Sequence, residues 1–216
     1  MNDLQNRRPL ASRKTGWATA ISRWLARTRI TPNQISIAGM FAALIAGVCF
    51  WSAGNVTGMG RGGLLLAAAV FVQVRLLCNL FDGMVAIEAG RGAPDGGFWN
   101  EFPDRMSDML ILLGAALFVG QPALGWAASA FAFLTAYVRE LGVNCGVGAD
   151  FRGPMAKPHR MALITLAAVL SIAEPFWHGT GQILHVALWI VILGAAVTAA
   201  RRAFGTVSKL QNHPEP

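Results

Sequence analysis

Charged residues are scarce in this sequence of 216 amino acids. They make up 13% of the chain, against 54% apolar residues, whereas a soluble domain usually carries about a quarter charged residues. So apolar a composition excludes an intrinsically disordered chain and argues against an ordinary water-soluble globule. The expected solvent is therefore a lipid bilayer, and the expected class is an integral membrane protein.

Cysteine is scarce too, and there is a single tyrosine. The three cysteines, Cys49, Cys78 and Cys145, lie in apolar surroundings and do not form the pattern of a disulfide framework. The first thirty residues lack the apolar core of a signal peptide, because arginines interrupt them throughout. A disulfide-stapled fold is thus excluded, and no signal peptide is expected.

Six apolar stretches predict membrane spans, since a span needs about 20 mostly apolar residues. The stretches lie at residues 34–53, 64–86, 100–120, 123–141, 161–173 and 183–200. We predict an all-α integral membrane fold with six transmembrane helices. Its three regions are a segment over 1–33, a membrane domain over 34–203 and a tail over 204–216.

The N-terminal segment carries an amphipathic pattern. Trp17, Ile21 and Trp24 recur at helical spacing between arginines, which is typical of a helix lying on the inner membrane surface. A basic tail beside the first span is the alternative. Sixteen of the 18 Lys and Arg residues fall on one face of the six-span topology, so both termini are expected in the cytoplasm of an inner-membrane protein. The net charge of +7 therefore needs no nucleic-acid partner.

Polar residues within two predicted spans mark a candidate site, because ionisable groups at membrane depth are costly. Spacings of three or four residues put each set on one helix face. The first stripe is Arg75, Asn79, Asp82 and Ala86, with Gly83 at its edge. The second is Asn100, Asp104 and Asp108, with Glu101 beside it. Converging oxygen ligands indicate Mg²⁺ or Mn²⁺ and a diphosphate ligand. The alternative is that the acids only cap helices or pair with Arg75 and Arg105.

Residues 79–86 and 96–104 resemble the signature of the CDP-alcohol phosphotransferase family. That signature reads D-x-x-D-G-x-x-A-R, then eight residues, then G-x-x-x-D-x-x-x-D, and the spacing here fits without a gap. Its first and third aspartates are Asn79 and Asn100 in this chain, and its arginine is Ile87. The pattern is similar to a divergent bacterial branch of the family.

The resemblance implies an enzyme that moves the phosphatidyl group from CDP-diacylglycerol to an alcohol acceptor and releases CMP. It implies a homodimer and two Mg²⁺ or Mn²⁺ ions, with one ion as the alternative. Asp104 is the implied base for the acceptor hydroxyl. The candidate metal ligands are Asn79, Asp82, Asn100, Asp104 and the additional Asp108. The candidate CDP-binding residues are Asn33, Asp82, Gly83, Ala86 and Arg91.

Three basic residues around the connection between the fourth and fifth spans are candidates for binding an acceptor phosphate: Arg139, Lys157 and Arg160. Cytoplasmic topology or contact with anionic lipid headgroups would explain them equally well. We expect a phosphorylated acceptor, with phosphatidylglycerophosphate-type synthesis as the narrower hypothesis. Inositol phosphate, an amino alcohol or another acceptor is the alternative. The alternatives to a phosphatidyltransferase are a membrane transporter with a cation site and a catalytically inactive scaffold.

Overall fold

The computed structural model describes residues 15–88 and 95–212, and in these ranges the regular structure is entirely helical. Its α-helices are α1 (Gly16–Ala26), α2 (Pro32–Ala53), α3 (Gly58–Glu88), α4 (Gly96–Phe118), α5 (Pro122–Asn144), α6 (Lys157–Ser171) and α7 (Gln182–Asn212). A 3₁₀ helix, Glu174–Trp177, joins α6 to α7. The predicted all-α class is confirmed. Arg91 lies outside the described residues.

Three helices, α2, α3 and α7, are long and apolar enough to cross a membrane, judged by length and composition. The other predicted spans fall on α4, α5 and α6. Helix α6 has 15 residues, fewer than the roughly 20 that a perpendicular span needs. The chain is a multi-pass membrane protein, whereas the count of six spans and the side of the termini stay predictions.

Small residues let α2 lie close against its neighbours. It packs along both α3 and α4, and a Cβ atom added to Gly114 on α4 would stand only 2.4 Å from the Cα of Gly47 on α2. A Cβ atom added to Gly39 would likewise stand 3.1 Å from the Cβ of Cys78 on α3. Because these glycines let the helices approach closely, the polar stripes of α3 and α4 are held at one end of a tight helix trio.

Helix α1 packs on the end of α3 that carries the site. Trp17 meets Phe81 edge to face, with 6.2 Å between ring centroids, and Ala18 is fully buried. Trp24, in contrast, is 64% exposed. The helix therefore has the predicted amphipathic faces, and its position on a membrane surface remains a prediction.

Candidate active site

Arg75 joins the two polar stripes. Its Nη2 donates to Oδ1 of Asp104 at 3.0 Å and to Oδ1 of Asp108 at 3.3 Å, so one guanidinium on α3 holds two carboxylates on α4. Arg75 is 1% exposed. The two stripes thus converge as the spacing predicts, and the alternative pairing of the acids with Arg75 is present as well.

Asp108 is enclosed between two arginines. Its second oxygen, Oδ2, accepts from Nη2 of Arg160 at 2.6 Å, and both residues are 1% exposed. Arg160 also donates to the main-chain carbonyl of Met155 at 2.9 Å. Since guanidinium groups engage both oxygens of Asp108, its contacts favour a role in joining α3, α4 and α6. A metal-binding role for Asp108 and a phosphate-binding role for Arg160 stay predictions.

Lys157, the first residue of α6, reaches between the two stripes. Its ammonium donates to Oδ1 of Asn79 and to Oδ2 of Asp104. Asp104 therefore has Arg75 on one oxygen and Lys157 on the other. The residue expected to hold an acceptor phosphate lies among the candidate metal ligands. We call Arg75, Asp104, Asp108, Lys157 and Arg160 the ion-pair cluster.

Asp82 is fixed by neutral donors. Oδ2 accepts from the hydroxyl of Ser36 at 2.8 Å, and Oδ1 accepts from the backbone N–H of Gly83. Ser36 lies on α2 and is buried. Sequence reasoning missed this residue. A hydroxyl within an apolar span is the available signal, and it is weak because such hydroxyls commonly bond to their own helix backbone.

A small pocket brings together Asn79, Asp82 and Asp104. Its lining consists of these three together with Ser36, Gly39, Arg75, Cys78, Pro103 and Ser107. Within the described residues, Nη1 of Arg75 is buried without a hydrogen-bond partner. Since a buried N–H is costly to leave unpaired, the pocket is suited to an oxygen-rich ligand or water.

Other predicted site residues lie outside this lining. Asn100 is exposed and donates to Glu101, and Asn33 donates to Asp95 at 3.3 Å on the exposed surface. Gly83 and Ala86 are half-buried on α3. Arg139 is 15% exposed along its side chain and pairs with Glu101 and Glu140.

The loop before α6 positions Lys157 by binding to α7. The backbone N–H of Met155 donates to Oγ1 of Thr198 at 3.0 Å, and Nε of Arg202 donates to the carbonyl of Arg152 at 3.0 Å. Within the loop, hydrogen bonds from Arg152 hold the pKa of Asp150 below its ordinary value. The two contacts with α7 fix the path of the chain into the site.

Curated proteins similar to this chain include phosphatidylinositol phosphate synthases. The chain is 28% identical to that of Cutibacterium acnes over 204 residues, which cover 88% of this chain and 93% of the relative. It is 27% identical to that of Mycolicibacterium smegmatis, with 82% and 77% covered. No protein-family model matches the sequence.

Solved structures of the phosphatidylinositol phosphate synthase of Mycobacterium tuberculosis share the fold. The structure with CDP-DAG bound has a TM-score of 0.71 at 20% identity, covering 88% of this chain and 92% of that one. The structure with manganese and citrate has a TM-score of 0.72 at 23% identity, covering 88% of each.

The long apolar helices and the similarity to the curated synthases indicate a membrane enzyme of the phosphatidyltransferase class. The motif spacing and the relatives narrow this further. The chain is similar to the CDP-alcohol phosphotransferase family, to which these relatives belong.

Proposed function

We propose that the chain transfers the phosphatidyl group from CDP-diacylglycerol to inositol phosphate, with release of CMP and dependence on Mg²⁺ or Mn²⁺. One observation carries the proposal: Asp82 and Asp104, which keep the signature spacing, converge in one buried pocket. The names of the relatives favour inositol phosphate over the glycerol-phosphate acceptor of our narrower sequence hypothesis.

The pocket residues fit a hard divalent ion. The carboxylates of Asp82 and Asp104 and the amide oxygen of Asn79 are the ligand types that Mg²⁺ and Mn²⁺ prefer. We assign these three residues as the ligands. When bound, the ion neutralises charge on the diphosphate and polarises its phosphorus–oxygen bonds.

Asp104 is the proposed base. It takes the proton from the acceptor hydroxyl, the hydroxyl oxygen attacks the phosphorus that bears diacylglycerol, and the bond from that phosphorus to CMP breaks. Arg75 orients Asp104 through one carboxylate oxygen, while Ser36 orients Asp82. Both acids are thereby held before substrate arrives, which lowers the cost of reaching the reactive geometry.

The acceptor phosphate is proposed to bind on the side where α5 meets the start of α6. Arg139 is partly exposed there and stacks over Phe151, with 5.6 Å between the guanidinium carbon and the ring centroid. Its partner Glu101 also binds Arg105, so an entering phosphate competes with Glu101 for these guanidinium groups. We also propose that the protein is a homodimer whose termini lie in the cytoplasm.

CMP release from the purified protein in lipid nanodiscs tests this function. The assay uses CDP-diacylglycerol, Mn²⁺ and, separately, inositol phosphate, glycerol phosphate and an amino alcohol. We expect inositol phosphate to give the fastest release. Asp104→Asn and Asp82→Ala should each lower the rate at least about 100-fold.

Asp150→Asn is the matched control, since Asp150 lies in the loop before α6 and outside the pocket lining. It should leave the rate within about twofold of wild type. Full activity of Asp104→Asn would remove Asp104 as the base, and faster release with glycerol phosphate would restore our narrower sequence hypothesis for the acceptor.

A further inference from the structure

We propose that the ammonium of Lys157 takes the place of one of the two divalent ions that the family signature implies, so that each chain binds a single ion. This inference rests on the proposed function, since it concerns the same pocket. Lys157 then acts as a permanent positive charge in the pocket and not as a ligand of the acceptor phosphate.

The position of Lys157 supports this role. Its ammonium contacts Asn79, which stands at the first aspartate of the signature, and Asp104, which stands at the last. A side chain of α6 thus joins the candidate ligands of α3 and α4, as a bridging cation would. The side chain is 19% exposed, so the charge is largely shielded from solvent.

The charges of the cluster favour one divalent ion. Ion pairs join Asp104 and Asp108 to Arg75, Lys157 and Arg160. With the neighbouring carboxylate of Asp82 included, the charges of these six residues sum to zero without an ion. One divalent ion and the two ionised phosphates of a CDP-linked lipid also balance each other. A second divalent ion would leave uncompensated positive charge in a buried pocket, which is strongly unfavourable.

Asn79 suits Lys157 where an aspartate would not. The ammonium is already matched by one carboxylate, that of Asp104, and the neutral amide oxygen of Asn79 adds a hydrogen bond without adding charge. A carboxylate at position 79 would leave an excess negative charge and attract a further metal ion. Asn79 at the first position of the signature is therefore chemically matched to the ammonium of Lys157.

Ligands for a second ion are also missing from the described residues. Asn100, at the third aspartate of the signature, is exposed and bonds to Glu101 rather than facing the pocket. Asp82, together with the lone pairs of Asp104 and Asn79 that Lys157 and Arg75 leave free, fits a single ion and does not fit a pair.

Counting bound Mn²⁺ tests the proposal without relying on turnover. Electron paramagnetic resonance of free Mn²⁺ is recorded during titration of the wild type, of Lys157→Met and of Asn79→Asp/Lys157→Met, each with CDP present. Lys209→Met, which removes an exposed lysine at the end of α7, is the matched control.

We expect one Mn²⁺ per chain for the wild type and for the control. The double variant should bind two, with a Kd for its second ion at least about tenfold lower than that of any second ion that the wild type takes up at high Mn²⁺ concentration. Two ions of similar affinity in the wild type would overturn the proposal, and so would a single ion in the folded double variant. The wild-type count alone decides the matter if the double variant does not fold.

CMP release from the same wild-type sample distinguishes failure of the proposed function from failure of the proposed role of Lys157. CMP release together with two bound ions contradicts the role of Lys157 and leaves the proposed function standing. One bound ion without CMP release from any acceptor contradicts the proposed function alone. If Lys157→Met raises the KM for inositol phosphate while neither it nor the double variant binds a second ion, Lys157 is instead an acceptor-phosphate ligand.

Discussion

Asp108→Asn is the sharpest test of the ion-pair cluster. The change keeps the shape of the side chain but removes the charge that faces Arg75 at 3.3 Å and Arg160 at 2.6 Å. Arg75 retains Asp104, whereas Arg160 loses its carboxylate partner and keeps neutral acceptors on Met155 and Thr135. The damage therefore falls mainly on Arg160.

The expected loss is large because all the partners are buried. Asp108, Arg75 and Arg160 are each 1% exposed, and breaking a buried pair by removing one partner costs about 3–5 kcal/mol. For a chain of this length, 1 kcal/mol shifts the melting temperature by about 2–4 °C, so the variant should melt roughly 10 °C lower. Intrinsic tryptophan fluorescence during heating of the detergent-solubilised protein measures this shift.

Two comparisons make the result specific. Asp150→Asn removes a carboxylate that is 9% exposed, but its partner Arg152 is 59% exposed and can be solvated, so it should cost clearly less than Asp108→Asn. Asp108→Asn combined with Arg160→Met removes both charges, and the double variant should recover about 2 kcal/mol relative to the sum of the single losses.

The reasoning is refuted if Asp108→Asn melts no lower than Asp150→Asn. If its stability is unchanged while Mn²⁺ affinity falls, Asp108 is a metal ligand, as the sequence analysis expects.

Two further predictions concern packing and orientation around the pocket. Ser36→Ala should lower kcat/KM for CMP release about tenfold, because a hydrogen bond to a charged group is worth about 1.5–3 kcal/mol and Asp82 loses one of 2.8 Å; an unchanged rate would show that Ser36 does not orient Asp82. Gly114→Ala should lower the melting temperature by roughly 5 °C or more, since the new methyl group would lie 2.4 Å from the Cα of Gly47. Gly97→Ala on the same helix meets nothing within 4 Å and should leave it unchanged, so equal shifts would contradict the close approach.

Helical periodicity predicted that Asn79, Asp82 and Asp104 converge, but it did not predict the separate surroundings of Asn100 and Asp108. Residues four apart on a helix drift by about 40° per step, so the stripe Asn100, Asp104, Asp108 covers about 80° from end to end. Asp104 faces the pocket, Asp108 turns toward α6, and Asn100 turns to the exposed surface. A common stripe in the sequence is thus compatible with three different surroundings.

Contacts from distant elements could not be read from local patterns. Lys157 is 53 residues from Asp104 along the chain, and its sequence neighbours show only a basic stretch at the start of a helix. The position of its ammonium depends on how the α5–α6 loop binds α7, through Thr198 and Arg202. Ser36 was missed for the same reason, since a hydroxyl on an apolar helix commonly bonds to its own backbone and its contact with Asp82 appears only in the packing of α2 on α3.

The departures from the family signature form one coherent change rather than separate losses. In the signature, four aspartates provide enough negative charge for two divalent ions. Here Asn79 and Asn100 remove two of those charges, and Lys157 supplies a cation that contacts both Asn79 and Asp104. Random decay would leave Asp82 and Asp104 without reason to stay buried and oriented, at the cost that buried charges carry. Instead Ser36, Gly83 and Arg75 hold both of them in place. That arrangement favours a working site with altered metal demand over an inactive scaffold.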